Sequence, residues 1–472
     1  MVEHMGEIRR VNMDNEKLFE DMSMKGAPKI VMVPPGPASK EILQFQADNE
    51  SSVVSYSKGM PMALSRGKGA TLEDVDGNIY IDMFSGAGVM ALGHGHPAVL
   101  EAAHEQIDKV THTLDIPSPT RVRMVKELKK ILPKELTRVF FGGPTGSDAV
   151  EQAIKLAKFN TKRNGVIAFE GAYHGMTGVA LALTTDSSHR DGIGELVPGV
   201  KFIPYPYIYR NPFGCPDEDV DIQCANYLER ILEDSHSGYS LPAAVILESV
   251  QGEGGTIIPS KRFMQKVREI TKKHGVILIC DEIQSGLGRT GKMFAFEHAD
   301  IVPDIVTMSK ALGGVGFPIS AIAYREELNT WPAGKSIGTF RGNMIAFAAG
   351  ATALAWMGEH KICERSTTLG VKALARLKEI EAKYDTVGEV RGLGLMLALE
   401  MVTDKKSKTP DSVTAKKIRK YAHQRGVMIE VGGHHNNVAR LLPPLVIPEN
   451  YLMKGIDIIE SVIKDLAEGK LD

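Results

Sequence analysis

The strongest constraint on the fold is a recurrence. Between residues 137 and 325 short, continuous apolar runs alternate with stretches of helical periodicity. The runs are "TRVFFGG", "GVIAFEG", "VALALTT", "KFIPYP", "AAVILESV", "GVILICDE", "DIVTMSK" and "SAIAYR". Helices are expected at 97–110, 118–131, 147–161, 221–234 and 261–274. A strand without polar alternation must be buried on both faces, and an intervening helix returns the chain to begin the next strand in the same direction. The pattern predicts an α/β domain with a mostly parallel sheet covered on both sides. Ahead of it, "TLEDVDGNIYIDM" predicts a hairpin turning at Asp76 and Gly77. The first forty or so residues read as a Pro- and Gly-punctuated arm ending in "PPGPASKEILQFQ". Beyond "RGNMIAFAAGATALAWM" a smaller α+β segment is expected, with strands near 395–402, 427–431 and 438–442 and an amphipathic helix at 450–467. The expected division is 1–80 as arm and part of a small domain, 81–345 as the large domain, and 346–472 as the C-terminal small domain. A chain of 472 residues exceeds one simple core in any case.

Charge and cysteine usage narrow the class. With 56 Lys and Arg against 58 Asp and Glu, the chain has no electrostatic case for nucleic acid or an anionic membrane surface. No window approaches the roughly 18 consecutive apolar residues of a membrane span. The N-terminus is polar and mixed in charge, unlike a secretory signal. Cys215, Cys224, Cys280 and Cys363 show no CxxC spacing, which points to reduced thiols and a cytoplasmic protein. Cys280, inside an apolar strand, is expected to pack as a small hydrophobe.

In parallel sheets ligands collect at the carboxyl ends of the strands, and the unusual residues of this chain stand there. "FFGGPTGSDAVEQAIKLAK" passes from strand through a glycine-rich turn into a helix, so the N–H groups of Gly146, Ser147 and Asp148 offer a phosphate cradle. The plain alternative is an ordinary capped loop with Ser147 as N-cap. No Walker lysine is present, which disfavours a P-loop. "GLGRTG" at 286–291 matches a dinucleotide fingerprint, but "DEIQS" separates it from its strand and no long amphipathic helix follows. The paired histidines of "HGHP" and "GGHH" lack a clear third ligand, so no metal is expected. Two strand ends remain: "GVILICDE" finishes in Asp281, and "DIVTMSK" finishes in Lys310. A lysine at a buried strand end is costly unless neutralised or paired. A Schiff base with an aldehyde neutralises it, a nearby aspartate keeps a pyridine nitrogen protonated, and a helix N-terminus binds a phosphate. Together these needs describe pyridoxal phosphate. A lysine that merely snorkels from a strand end is the plain alternative, and it leaves the cradle and the acid unexplained.

The motifs "DEIQSGLGRTG", with Lys310 placed 29 residues after Asp281, and "GAYHG", "QGEGG" and "GTFRGN" resemble those of the class III, fold type I pyridoxal-phosphate aminotransferases. The likeness extends from about residue 60 to the end. It implies a large domain with a mostly parallel, seven-stranded sheet and a small α+β domain drawn from both chain ends. It implies Lys310 as Schiff-base lysine and proton shuttle, Asp281 on the pyridinium nitrogen and Gln284 near the ring hydroxyl. Tyr173 would stack on the ring beside His174, Gly146 and Ser147 would bind phosphate, and Glu248 would lie on the substrate side. Thr339 would reach the phosphate of the neighbouring subunit in a homodimer or a dimer of dimers. Glu253 matches the family's glutamate that pairs with a gating arginine, and Arg440 matches that arginine. Such a pair lets one pocket take an amino donor and then 2-oxoglutarate, because Arg440 can turn from Glu253 to a substrate carboxylate.

The chain departs from one branch of the family. The 4-aminobutyrate and ornithine enzymes carry an arginine after "HG" that holds the distal carboxylate; Met176 stands there in "AYHGMT". "GPTGSDAVE", "GAGVMALGHGHP", "YPYIYRNPFG" and "GTFRGN" instead resemble the diaminobutyrate–2-oxoglutarate aminotransferases. The "PPGP" arm and "YRNPFG" also resemble archaeal ornithine aminotransferases and the amino-acid racemases of the same fold. The expected activity is transfer of a distal amino group from a diamino acid, such as 2,4-diaminobutyrate or ornithine, to 2-oxoglutarate. Racemisation of an amino acid is the rival reading.

Overall fold

The computed structural model describes residues 16–472; the first 15 residues of the expected arm lie outside them. Two compact units divide the chain. One joins the N-terminal part up to Pro97 with Glu359–Asp472, and the other is Ala98–Gly358. The breaks fall at 97/98 and 358/359, where the sequence division stood at 80/81 and 345/346. The helix Met344–Glu359 explains the later break, since its buried alanine-rich turns run on without interruption.

In the unit built from both ends, strands β1 (Leu64–Lys68), β2 (Thr71–Asp74) and β3 (Ile79–Asp82) form an antiparallel meander. The β2–β3 turn contains Gly77 at φ +87°, a conformation that favours glycine. Val427–Met428 adds to β3 in parallel and so joins the two chain ends in one sheet. A second antiparallel sheet contains Val387–Leu393, Met396–Asp404, Val438–Leu441 and Glu430–Gly432 in that spatial order. The helix Glu449–Ala467 closes the unit.

The Ala98–Gly358 unit is organised around seven strands: β4 (Arg138–Phe141), β5 (Val166–Phe169), β6 (Val200–Ile203), β7 (Ala244–Glu248), β8 (Ile277–Asp281), β9 (Ile305–Met308) and β10 (Ala321–Tyr324). Their spatial order is β4-β10-β9-β8-β7-β5-β6. Pairing is parallel from β9 across to β6, and β10 alone runs antiparallel to both of its neighbours. Strands β5, β7, β8, β9 and β10 are buried along their whole length, as their unbroken apolar sequences require. The helix Gly146–Thr161 lays Ala149, Val150, Ala153, Ile154 and Ala157 into the core beside Ile246, Ile279 and Ile305. One expected strand is a helix. "VALALTT" contributes the short helix Gly178–Ala182, because an apolar run this brief fits either period and only packing decides. No helix among the described residues is long and apolar enough to cross a membrane.

Candidate active site

Connections leaving β4, β5, β7, β8 and β9 at their carboxyl ends line a cavity of about 210 Å³. The strand register builds its floor. Glu248 pairs with Asp281, and Asp281 pairs with Thr307, so three polar residues stand level on adjacent strands. Asp281 is buried, and its position is fully specified. Oδ1 accepts from the Ile283 N–H at 3.1 Å and the Thr307 hydroxyl at 2.9 Å, and Oδ2 lies 2.7 Å from His174 Nδ1. Facing an acceptor carboxylate, Nδ1 carries the proton, and Nε2 is left buried without a partner.

Glu248 is held just as firmly. The Tyr173 and Gly252 N–H groups donate to its two oxygens at 2.9 and 2.8 Å. Burial pushes its carboxyl up to about 7, opposed by His174 and reinforced by Asp281. The Tyr173 phenol is raised first by burial, then by the charges of Glu253 and Glu248. Gln284 donates to Glu253 at 3.2 Å. Gly252 leaves room for this placement of Gln284, since a Cβ there would stand 1.9 Å from its side-chain oxygen Oε1.

Lys310 follows β9 by two residues and enters the cavity wall half-buried. Its φ is +46°, a left-handed conformation rare for a side chain of this size. Opposite it the helix Gly146–Thr161 begins. Thr145, not Ser147, is the N-cap: its N–H and hydroxyl both donate to Asp148 Oδ2, at 2.9 and 2.7 Å. The Asp148 N–H bonds to the Thr145 carbonyl at 3.1 Å. The cradle thus reduces to Gly146 and Ser147, first-turn residues whose N–H groups have no carbonyl to bond within the helix. Gly175, at φ +127°, lets the Tyr173–His174 loop close on this end, since a Cβ there would meet Ser147 Oγ at 2.1 Å.

The cavity therefore brings together Gly146, Ser147, Tyr173, His174, Glu248, Glu253, Asp281, Gln284 and Lys310. Three expected site residues do not line it. Met176 is half-exposed and gives its N–H to Ser147 Oγ at 3.2 Å. Thr339 is exposed, and its carbonyl accepts from His112 Nε2 at 2.8 Å. Arg440 belongs to the other unit, buried on Val438–Leu441 opposite Glu430. Thr145, Gly175, Ile283 and the supporting Thr307 were not singled out from sequence. Thr307 had a usable signal, a hydroxyl three residues before Lys310 in an otherwise apolar strand. Among the described residues one group, Glu229, Glu233 and His274, gathers metal-type ligand atoms, but Lys273 Nζ already meets the two carboxylates at 2.9 and 2.6 Å.

A family model described as aminotransferase class-III matches residues 53–463. The chain belongs to the class III aminotransferases. A diaminobutyrate–2-oxoglutarate aminotransferase of Rhizobium meliloti is 42% identical, over 86% of this chain and 89% of that protein. An alanine/serine racemase of Pyrococcus horikoshii is 35% identical, over 94% of each chain. Among solved structures, an amine transaminase from an uncultivated Pseudomonas species in its PLP-bound form superposes with a TM-score of 0.82 at 26% identity, covering 88% of this chain and 97% of that one. This class III aminotransferase thus shares with that solved transaminase the α/β fold expected from its sequence.

Proposed function

We propose that this aminotransferase moves the distal amino group of a diamino acid, 2,4-diaminobutyrate foremost, to 2-oxoglutarate with pyridoxal phosphate as cofactor. One observation supports the cofactor above all. A fixed aspartate, a lysine and an open helix N-terminus face one cavity, and each matches a different part of the same molecule. Gly146 and Ser147 would hold the phosphate, Asp281 the ring nitrogen, Gln284 the ring hydroxyl and Lys310 the aldehyde carbon, with Tyr173 and His174 flanking the ring. When bound, pyridoxal phosphate supplies a cationic ring that draws electrons from the carbon carrying the amine.

The protein supplies the rest. Asp281, fixed by three hydrogen bonds, presents its charge without rearrangement as electrons move. Lys310 Nζ would take the proton from the substrate carbon and give it to the carbon that the cofactor brings in as its aldehyde. Glu253 adds negative charge on the substrate side, suited to a donor that bears a second ammonium, and Glu248 adds a carboxyl that burial holds partly protonated near neutral pH. The acceptor's carboxylate is assigned to Arg440. The resemblance of "GTFRGN" assigns Thr339 to the cofactor phosphate of a second subunit, and its exposed place between Ile337 and Phe340, which are 79% and 72% exposed, is compatible with that role.

The racemase relative makes the distinction of reaction type the first experiment. Purified enzyme is incubated with 2,4-diaminobutyrate, ornithine, alanine and serine, each with and without 2-oxoglutarate, and products are resolved by chiral chromatography. Glutamate formed from a diamino acid supports the proposal. Inversion of alanine or serine without any 2-oxo acid, and no glutamate, would replace it with racemisation.

A further inference from the structure

The segment 335–342 carries Thr339 outward, yet the residues around it are tied firmly to their own chain. Arg341 is the centre of that attachment. It is 7% exposed, and its guanidinium lies over the Phe140 ring of β4 at 4.4 Å from the centroid. The same guanidinium donates to the Ser336 carbonyl and, at 3.3 Å, to the Ser336 hydroxyl. That hydroxyl donates to Gln152 Oε1 at 2.6 Å and accepts from Lys155 Nζ at 3.4 Å. Gln152 and Lys155 stand on the Gly146–Thr161 helix, whose N-terminus opens into the cavity. Arg341 thus bridges the two ends of the six-residue bend 336–341 and pins it to the helix that begins at the candidate phosphate cradle.

An arginine suits this task better than a lysine. Its planar fork can serve a carbonyl and a hydroxyl at once while its face stacks on an aromatic ring. The stacked, desolvated position gives the loop one geometry, and that geometry leaves Ile337, Thr339 and Phe340 facing solvent. A loop held this way by its own chain, with its apolar and hydroxyl side chains turned out, is prepared to act on something other than its own cavity.

We infer that Arg341, through Ser336 and the Gly146–Thr161 helix, is a positioning residue that presents Thr339 to the cofactor site of a second copy of this chain. The inference rests on the shared-site assignment of Thr339 made above. It adds that the same helix that cradles phosphate in one subunit also braces the loop that completes the cradle in the other. Each site then depends on the partner's Arg341 and not on its own.

Mixed dimers separate these two dependences. In the first dimer one subunit carries Arg341→Met and the other Lys310→Ala. In the second, both changes sit on one subunit and the other is unmodified. Both dimers contain one copy of each substitution, so general destabilisation affects them alike. After loading with pyridoxal phosphate and dilution into cofactor-free buffer, borohydride is added at intervals. Intact mass of the chain that retains Lys310 then gives the release rate from the one competent site.

Release should be about tenfold faster in the second dimer only, the size of one lost hydrogen bond to a charged group. Ser336→Ala, a milder change, should follow the same pattern. Faster release in the first dimer, or equal release in both, overturns the inference. So does an unchanged rate in both when Thr339→Ala, placed opposite the competent site, does accelerate release; in that case the shared site stands and only the brace fails. If Thr339→Ala has no effect across the dimer, the shared-site assignment falls as well.

Discussion

Lys310 is held in a backbone conformation that costs an ordinary L-residue about 1–2 kcal/mol. Such strain persists only where the surroundings over-determine it, and here β9 and the turn after it aim the amine into the cavity. Two substitutions separate the amine from the strain. Lys310→Ala and Lys310→Gly should both lose 10²- to 10⁴-fold in turnover, the usual scale for a positioned proton-transfer group. The glycine variant should nevertheless be more stable than the alanine one, by about 1 kcal/mol in urea titrations of the cofactor-free protein. Equal stability of the two would dissociate the positive φ from any strain. Glu248 gives a pH test. Its carboxyl is raised to about 7 by burial, above its ordinary 4.5, so between those values the folded state binds more protons than the unfolded state. Stability must then fall as pH rises from about 4.5 to 7. Glu248→Gln removes this term, so its melting temperature should gain on the unmodified cofactor-free protein more at pH 8 than at pH 5. Of the cavity residues, Asp281 and Lys310 were legible in the sequence because each is a charged residue at or just past the end of a continuous apolar run. Thr307 showed only as a hydroxyl in an apolar strand, because its contact with Asp281 follows from strand pairing, and Ile283 showed nothing, because it meets Asp281 Oδ1 through its backbone N–H two residues along the chain.

At the scale of elements, seven of the eight apolar runs are strands as expected and one is a helix. "GVILICDE" and "AAVILESV" could only be buried strands, whereas the run at 179–185 could be either element and became a helix. Sheet order was beyond the sequence for a related reason. β10 is inserted antiparallel between β4 and β9, and nothing in "SAIAYR" distinguishes that position from an edge. The decoy "GLGRTG" also resolves at this scale. Glu282, the residue after β8, is buried and turns away from Asp281 to accept from the Ser285 hydroxyl and from the Ala295 and Phe296 N–H groups, at 2.9, 2.9 and 3.0 Å. The glycines allow the chain to fold back to that carboxylate, so they build a turn where a dinucleotide fingerprint would need a helix. Burial raises the Glu282 carboxyl to about 7 despite these donors. Glu282→Ala would leave two buried N–H groups unpaired, each worth roughly 1–3 kcal/mol. A loss of at least about 2 kcal/mol on urea denaturation is expected, with early proteolytic cleavage within 283–297. Unchanged denaturation would show that the turn holds without its anchor.

At the scale of the whole molecule, the sequence conveyed a two-part chain with its ends in one unit, because both terminal regions show short alternating strands and the middle shows continuous ones. It conveyed the donor only through motif likeness, because the physical basis of selection depends on how charges from separate strands converge. The formal net charge of −2 gives little long-range steering, so selection has to be local. The cavity supplies a local reason. Glu248, Glu253 and Asp281 line it together with Lys310. The proposed donor and 4-aminobutyrate differ by one group, an ammonium on the carbon next to the carboxylate. In acidic surroundings that ammonium finds a partner and offsets its own carboxylate, while 4-aminobutyrate brings a carboxylate alone, and an unpaired buried charge is heavily disfavoured. We therefore expect kcat/KM to favour 2,4-diaminobutyrate over 4-aminobutyrate by about a hundredfold, the equivalent of one desolvated charged hydrogen bond. Two variants should shrink that ratio from opposite ends. Met176→Arg places a cation beside Gly175, where the half-exposed methionine leaves room, and should improve 4-aminobutyrate. Glu253→Gln keeps the shape and removes a charge, and should impair 2,4-diaminobutyrate while leaving 4-aminobutyrate nearly unchanged. Steady-state rates for both donors with saturating 2-oxoglutarate decide the matter: if neither substitution moves the ratio, charge does not select the donor, and the shape of the cavity must.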